Sequence, residues 1–127
     1  WTAQIGGPTW SATGTVTVSR LSNNFIGLGG SGYAGTTPYS LVLGIGNATG
    51  PGTHSFNLAA CGDGSSLVIG GTTGGWGTAF TGGSGSVTIT LLTANRVVGI
   101  FSGIAVPGSG GATGNLTIAS GRFDITY

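Results

Sequence analysis

Charge is what this chain lacks most. Lysine and glutamate are absent. The charged residues, Arg20, Arg96, Arg122, Asp63 and Asp124, amount to 4% of 127 positions, against about 25% in an ordinary soluble domain. Three scattered arginines make no basic footprint for nucleic acid and no polybasic patch for an anionic membrane. A single cysteine excludes an internal disulfide, and one cysteine with one histidine cannot build a zinc site. Methionine is missing and glutamine occurs once, so most strong helix formers are gone. No apolar run approaches the ~18 residues of a transmembrane helix.

What is present is strand chemistry. Thr, Val, Ile and aromatic residues fill short segments between glycine-rich breaks, with 29 glycines in all. Low charge with 39% hydrophobic residues is not the signature of disorder. The length suits one domain, 1–127, large enough to bury a core without staples. The chain begins at Trp1 with neither a start Met nor a leader, which reads as a processed chain or a trimmed piece.

Residues 14–19 alternate, with Val16 and Val18 on one face and Thr15, Thr17 and Ser19 on the other. Ser22-Asn23-Asn24 reads as a turn into a second strand from Phe25. Further strands are predicted at 39–45, 53–58, 67–69, 76–80 and 86–92. A long strand from Arg96 ends where Pro107 breaks it, and segments 113–118 and 122–127 close the chain. About nine or ten short strands, with turn signals every 8–12 residues, predict an all-β antiparallel sandwich.

The ionisable groups are too few for ordinary catalysis. Asp124 shares a strand face with Arg122, and its expected role is an ion pair with Arg122 or with Arg96 across the sheet. A glycosidase pair of Asp63 and Asp124 and a dyad of Cys61 and His54 are the weaker alternatives. Gly62-Asp63-Gly64 offers calcium one carboxylate where six to eight oxygens are wanted. The reading is therefore not an enzyme, with no cofactor and no metal. Thr15/Thr17 and Thr88/Thr90 could form a flat hydroxyl array, although alternating threonine on an exposed sheet face is ordinary. The aromatics are the remaining candidates: Trp1, Trp10, Trp76, Tyr33 and Tyr39 could stack on a sugar, with core packing as the competing role.

The second half resembles a lipoprotein domain family of unknown function found in the Bacteroidetes. The resemblance is carried by Gly85-Ser86-Val87-Thr88-Ile89-Thr90, by Asn95 to Ser102, and by Ser120-Gly121-Arg122-Phe123-Asp124-Ile125-Thr126-Tyr127, with Ala3-x-Ile5-x-Gly7-x-x-Trp10 at the start. It implies an Ig-like β-sandwich, exported and lipid-anchored through an N-terminal cysteine. That cysteine and the polar linker after it are not in this sequence, and the family offers no catalytic residues to carry over.

A surface of Thr, Ser, Asn and Gly has little charge repulsion to keep copies apart, and it lacks the edge lysines that block strand pairing. The expectation is an extracellular or outer-cell-surface structural protein that assembles with copies of itself into a filament or surface layer. Its assembly would use exposed sheet edges and terminal strands holding Trp1, Ile5, Trp10, Phe123, Ile125 and Tyr127. The alternative is a monomeric module that binds a glycan or a protein.

Overall fold

In the computed structural model, residues 1–56 and 64–127 are described, and they form eleven strands: β1 Thr2–Ile5, β2 Thr9–Ala12, β3 Thr17–Arg20, β4 Ile26–Ala34, β5 Thr37–Ile45, β6 Gly52–Ser55, β7 Ser66–Gly70, β8 Gly74–Gly77, β9 Ser84–Leu92, β10 Arg96–Gly110 and β11 Leu116–Thr126. Eight of them close on themselves, in the order β1-β2-β4-β5-β7-β8-β10-β11 and back to β1, every pair antiparallel. The fold is thus a closed eight-stranded barrel, which corrects the expected sandwich, Ig-like or otherwise.

Two four-residue strands make the difference. β2 turns back from β1 through Gly6-Gly7-Pro8 and bonds to β4, while β8 spans β7 and β10. Without these bridges the remaining strands would form two facing sheets. Each bridge shares its long neighbour with a second strand. β4 pairs β2 at Gly32–Ala34 and β3 at Ile26–Gly29. β10 pairs β9 along Val97–Ile104 and β8 along Val106–Gly110. β6 then extends β9 outward.

Pro107 does not end β10, which runs on to Gly110. It sits at a register shift between Pro107 and Ser109, where the missing N–H costs no regular ladder bond. The two expected C-terminal strands are one, β11. It bulges at Ala119-Ser120, between the β10 partners Phe101 and Gly103, with Ser120 at φ 51°.

Strict alternation supplies the core. Ile26 and Leu28, then Leu41, Leu43 and Ile45, then Leu67 and Ile69, and finally Val87 and Ile89 are all at most 1% exposed. Eight strands enclose an interior about wide enough for side chains to fill, and Trp10 and Phe56 are fully buried within it. The buried Thr78 hydroxyl accepts the Leu67 N–H at 2.9 Å and donates to the Leu67 carbonyl.

The glycines have a packing role that composition alone does not reveal. Each of the three Trp and five Phe rings lies over a glycine, within 3.3 Å of where a Cβ would stand. Trp1 covers Gly30, Trp10 covers Gly32, Trp76 covers Gly71, Phe25 covers Gly44 and Phe56 covers Gly85. Phe80 lies across Gly77 and Gly108. Between β10 and β11 the arrangement is reciprocal: Gly99 opposes Phe123 and Phe101 opposes Gly121, and each ring folds over the glycine facing it.

Candidate functional site

The five aromatic residues expected as a ligand platform do not share one exposed face. Trp10 is fully buried and donates its Nε1–H to the Tyr39 carbonyl at 3.1 Å. Trp76 is 7% exposed and donates to the Gly114 carbonyl at 2.9 Å. Trp1 is half-buried, edge-on to Trp10 at 5.4 Å and to Phe101 at 6.2 Å, and its Nε1 is buried without a partner. Tyr39, also half-buried, meets Trp76 edge-on at 6.4 Å. The indoles therefore tie the barrel together from inside.

Only Tyr33, at 54% exposure, is fully at the surface. With Pro38 and Tyr39 it lines an open groove of about 410 Å³ floored by Gly32, Gly70 and Gly71 and edged by Ser31 and Ser40. No charged side chain lines it. Antiparallel pairing sets Tyr33 opposite Pro38 and Gly32 opposite Tyr39, which brings these residues to one end of β4 and β5.

The terminal strands expected to be free for assembly are staves of the barrel. β1 is paired to β11 on one side and β2 on the other, and β11 to β1 and β10. Their apolar residues Ile5, Phe123 and Ile125 point inward at 2%, 2% and 8% exposure. Tyr127 is partly exposed; its hydroxyl donates to the Thr93 carbonyl and its ring lies beneath the Arg20 guanidinium at 5.8 Å. Among the described pairings only β3 and β6, four residues each, are bonded along one side alone.

The charges divide unequally. Arg96 takes both oxygens of Asp124 in a fork, at 2.8 and 2.7 Å. That hydrogen bond holds the Asp124 carboxyl below its usual range and raises the Arg96 guanidinium further. Of the two partners expected for Asp124, the cross-strand one is chosen. Arg122 makes no hydrogen bond or ion pair among the described residues. It stands on the barrel exterior opposite Ile100, which in turn opposes Thr88. Sequence reasoning missed this patch because it left Arg122 and Arg96 as alternative partners of Asp124, so that Arg122 was not marked as the unpaired one, and because nothing in the sequence marks the bulge at Ser120.

The remaining sequence candidates contribute less. Cys61 and Asp63 lie outside the described residues. His54 is half-buried on β6 and is engaged. Among the described residues no three of His, Cys, Asp and Glu gather in a group that could hold a metal ion. The threonine hydroxyls are turned to the sheet itself: Thr17 bonds the Gly29 carbonyl, Thr90 the Val98 carbonyl, and Thr88 the Thr53 hydroxyl at 2.8 Å. No helix of the structure is long and apolar enough to cross a membrane. No family model, no curated protein and no solved structure matches the chain.

Proposed function

We propose that the chain is a non-catalytic structural subunit of the cell exterior, which polymerises by exchanging its N-terminal hairpin, β1–β2, between copies. The observation that supports this is how the hairpin sits. It closes the barrel between β11 and β4 by backbone bonds on both flanks, and it brings Trp1 and Trp10 onto Gly30 and Gly32 of β4. It is joined to the rest only through Thr13–Val16, where Gly14 has open space around it. A hairpin entering a neighbour's slot makes the same contacts it makes at home, so exchange costs little beyond the hinge. The contact is heterologous and can therefore propagate. A surface nearly free of charge does not oppose the approach of copies.

The test is deletion of residues 1–12, with the excised peptide added back. The shortened chain should stay monomeric by light scattering and electron microscopy, and it should capture the peptide in trans. Polymers that form equally well without residues 1–12 overturn the mechanism, and so does a full-length chain that stays monomeric at high concentration.

The Tyr33–Pro38–Tyr39 groove favours a second reading, a module for an uncharged glycan or peptide. Loss of ligand binding on Tyr33→Ala, in a chain that does not polymerise, would support it.

A further inference from the structure

Of the three arginines on the chain, Arg96 is committed to Asp124, and Arg20 is held by the Tyr127 ring and the Thr93 carbonyl. Among the described residues Arg122 has no such partner. A guanidinium is a rigid fork of donors that fits a carboxylate with two parallel bonds. Beside it the exterior of β9, β10 and β11 forms a shallow pocket of about 240 Å³, lined by Ser86, Thr88, Ser102 and Ser120 with Ile100 between them. The hydroxyls come together through register: Ser86 opposes Ser102, Thr88 opposes Ile100, and Ile100 opposes Arg122. The bulge contributes the fourth hydroxyl by setting Ser120 in the left-handed region beside Arg122. Ile100 is 52% exposed, an aliphatic face among hydroxyls.

We infer that this pocket binds the carboxylate-bearing ring of an acidic saccharide, a site separate from the exchanged hairpin. Each part of such a ring has a counterpart. The carboxylate pairs with Arg122, the ring hydroxyls exchange hydrogen bonds with the hydroxyls of Ser86, Ser102 and Ser120, and the C–H face rests on Ile100. Asp124 is nearby, but its charge is already neutralised by Arg96, so the local balance of Arg96, Arg122 and Asp124 is one positive charge. A bare anion would use only Arg122, whereas a uronate ring uses the whole pocket.

The experiment is an NMR titration of the isotope-labelled full chain with trigalacturonate, its methyl ester and sodium acetate. Trigalacturonate should shift the resonances of Ser86, Thr88, Ser102 and Ser120. Arg122→Gln should weaken binding about tenfold or more, as expected for a charge-assisted pair. Arg20→Gln should leave binding unchanged. Ile100→Ser should weaken trigalacturonate without affecting acetate. Circular dichroism of each variant checks the fold, and all three mutated side chains are exposed. Equal binding of the ester overturns the carboxylate, equal binding of acetate leaves an adventitious ion only and overturns the saccharide, and no shift at these residues overturns the site.

Discussion

Gly121→Ala tests the claim that glycines here are receptacles for rings. A Cβ at Gly121 would stand 2.6 Å from three atoms of the Phe101 ring, Cδ1, Cε1 and Cζ. Ordinary contact needs about 3.5 Å or more, so the ring must retreat by roughly 1 Å. It has no free direction. Phe101 is 3% exposed, with Trp1 at 6.2 Å and Phe123 at 6.3 Å between ring centres. Overpacking of this kind costs about 1–3 kcal/mol, while alanine by itself suits a strand slightly better than glycine. At this chain length each kcal/mol is worth about 3–6 °C in Tm, so calorimetry should record a fall of about 3–18 °C. The double variant Phe101→Leu/Gly121→Ala should lose less than the sum of its singles, because the smaller side chain makes room. Gly50→Ala, where a Cβ would meet nothing within 4 Å, should be neutral or slightly stabilising. A Gly121→Ala protein as stable as the parent, or strictly additive singles, would refute the reasoning.

Other expectations follow from the same geometry. Thr78→Val keeps the shape but strands the buried Leu67 N–H, and should cost about 1–3 kcal/mol in a denaturant titration. Ser120, at φ 51°, should gain up to about 1 kcal/mol on change to Gly and lose at least as much on change to Val, whose branched Cβ fits that region poorly. Arg96 lowers the folded-state pKa of Asp124, so the ion pair contributes above the ordinary carboxylate pKa of about 4, and its contribution is lost as pH falls through the lower folded value. Asp124→Asn should therefore flatten the acid limb of a stability–pH curve. Removing two residues of the Thr13–Val16 hinge should push the full chain from monomer toward polymer, read by light scattering, because a short hinge cannot fold back.

The all-β class was legible because alternation is local. Val87-x-Ile89 and Leu41-x-Leu43-x-Ile45 state both the strand and the face it buries. Closure into a barrel was not legible, because it depends on β2 and β8, which are four residues each and too short for a period to show. Glycine-rich Gly74-Gly75 reads as a break, with a strand expected at 76–80, whereas the strand that joins β7 to β10 is Gly74–Gly77. Pro107 misled for a related reason: a proline breaks a regular ladder, but β10 carries it at a bulge. The candidate platform failed on depth. Exposed and buried tryptophans look alike in sequence until the glycines beneath them, Gly32 for Trp10 and Gly71 for Trp76, are known to be pits. The Arg96–Asp124 fork was half legible, since strand alternation puts Asp124 outside but register alone chooses between Arg96 and Arg122.

The barrel also changes what the missing lysines mean. In an open sheet, an edge without charge invites pairing with the next copy. Here closure gives each of the eight staves a partner on both sides, and among the described pairings the one-sided stretches are short, such as β3, β6, the Phe123–Thr126 end of β11 and the Thr90–Leu92 end of β9. A chain built this way can dispense with gatekeeping charge and still be protected, as long as the barrel stays shut. Its weak point then moves from the edges to the closure itself. The staves most easily withdrawn are those at a chain end, and β1–β2 is such a pair, while β11 is bonded to β10 along nearly its whole length. Simple addition at an exposed edge therefore has little to work with, and exchange of the N-terminal hairpin becomes the route that the architecture leaves open. On this argument, polymer growth should depend on the rate at which the hairpin opens. It should speed up under mild destabilisation of the β1–β11 ladder and stay indifferent to charges introduced on β3 or β6.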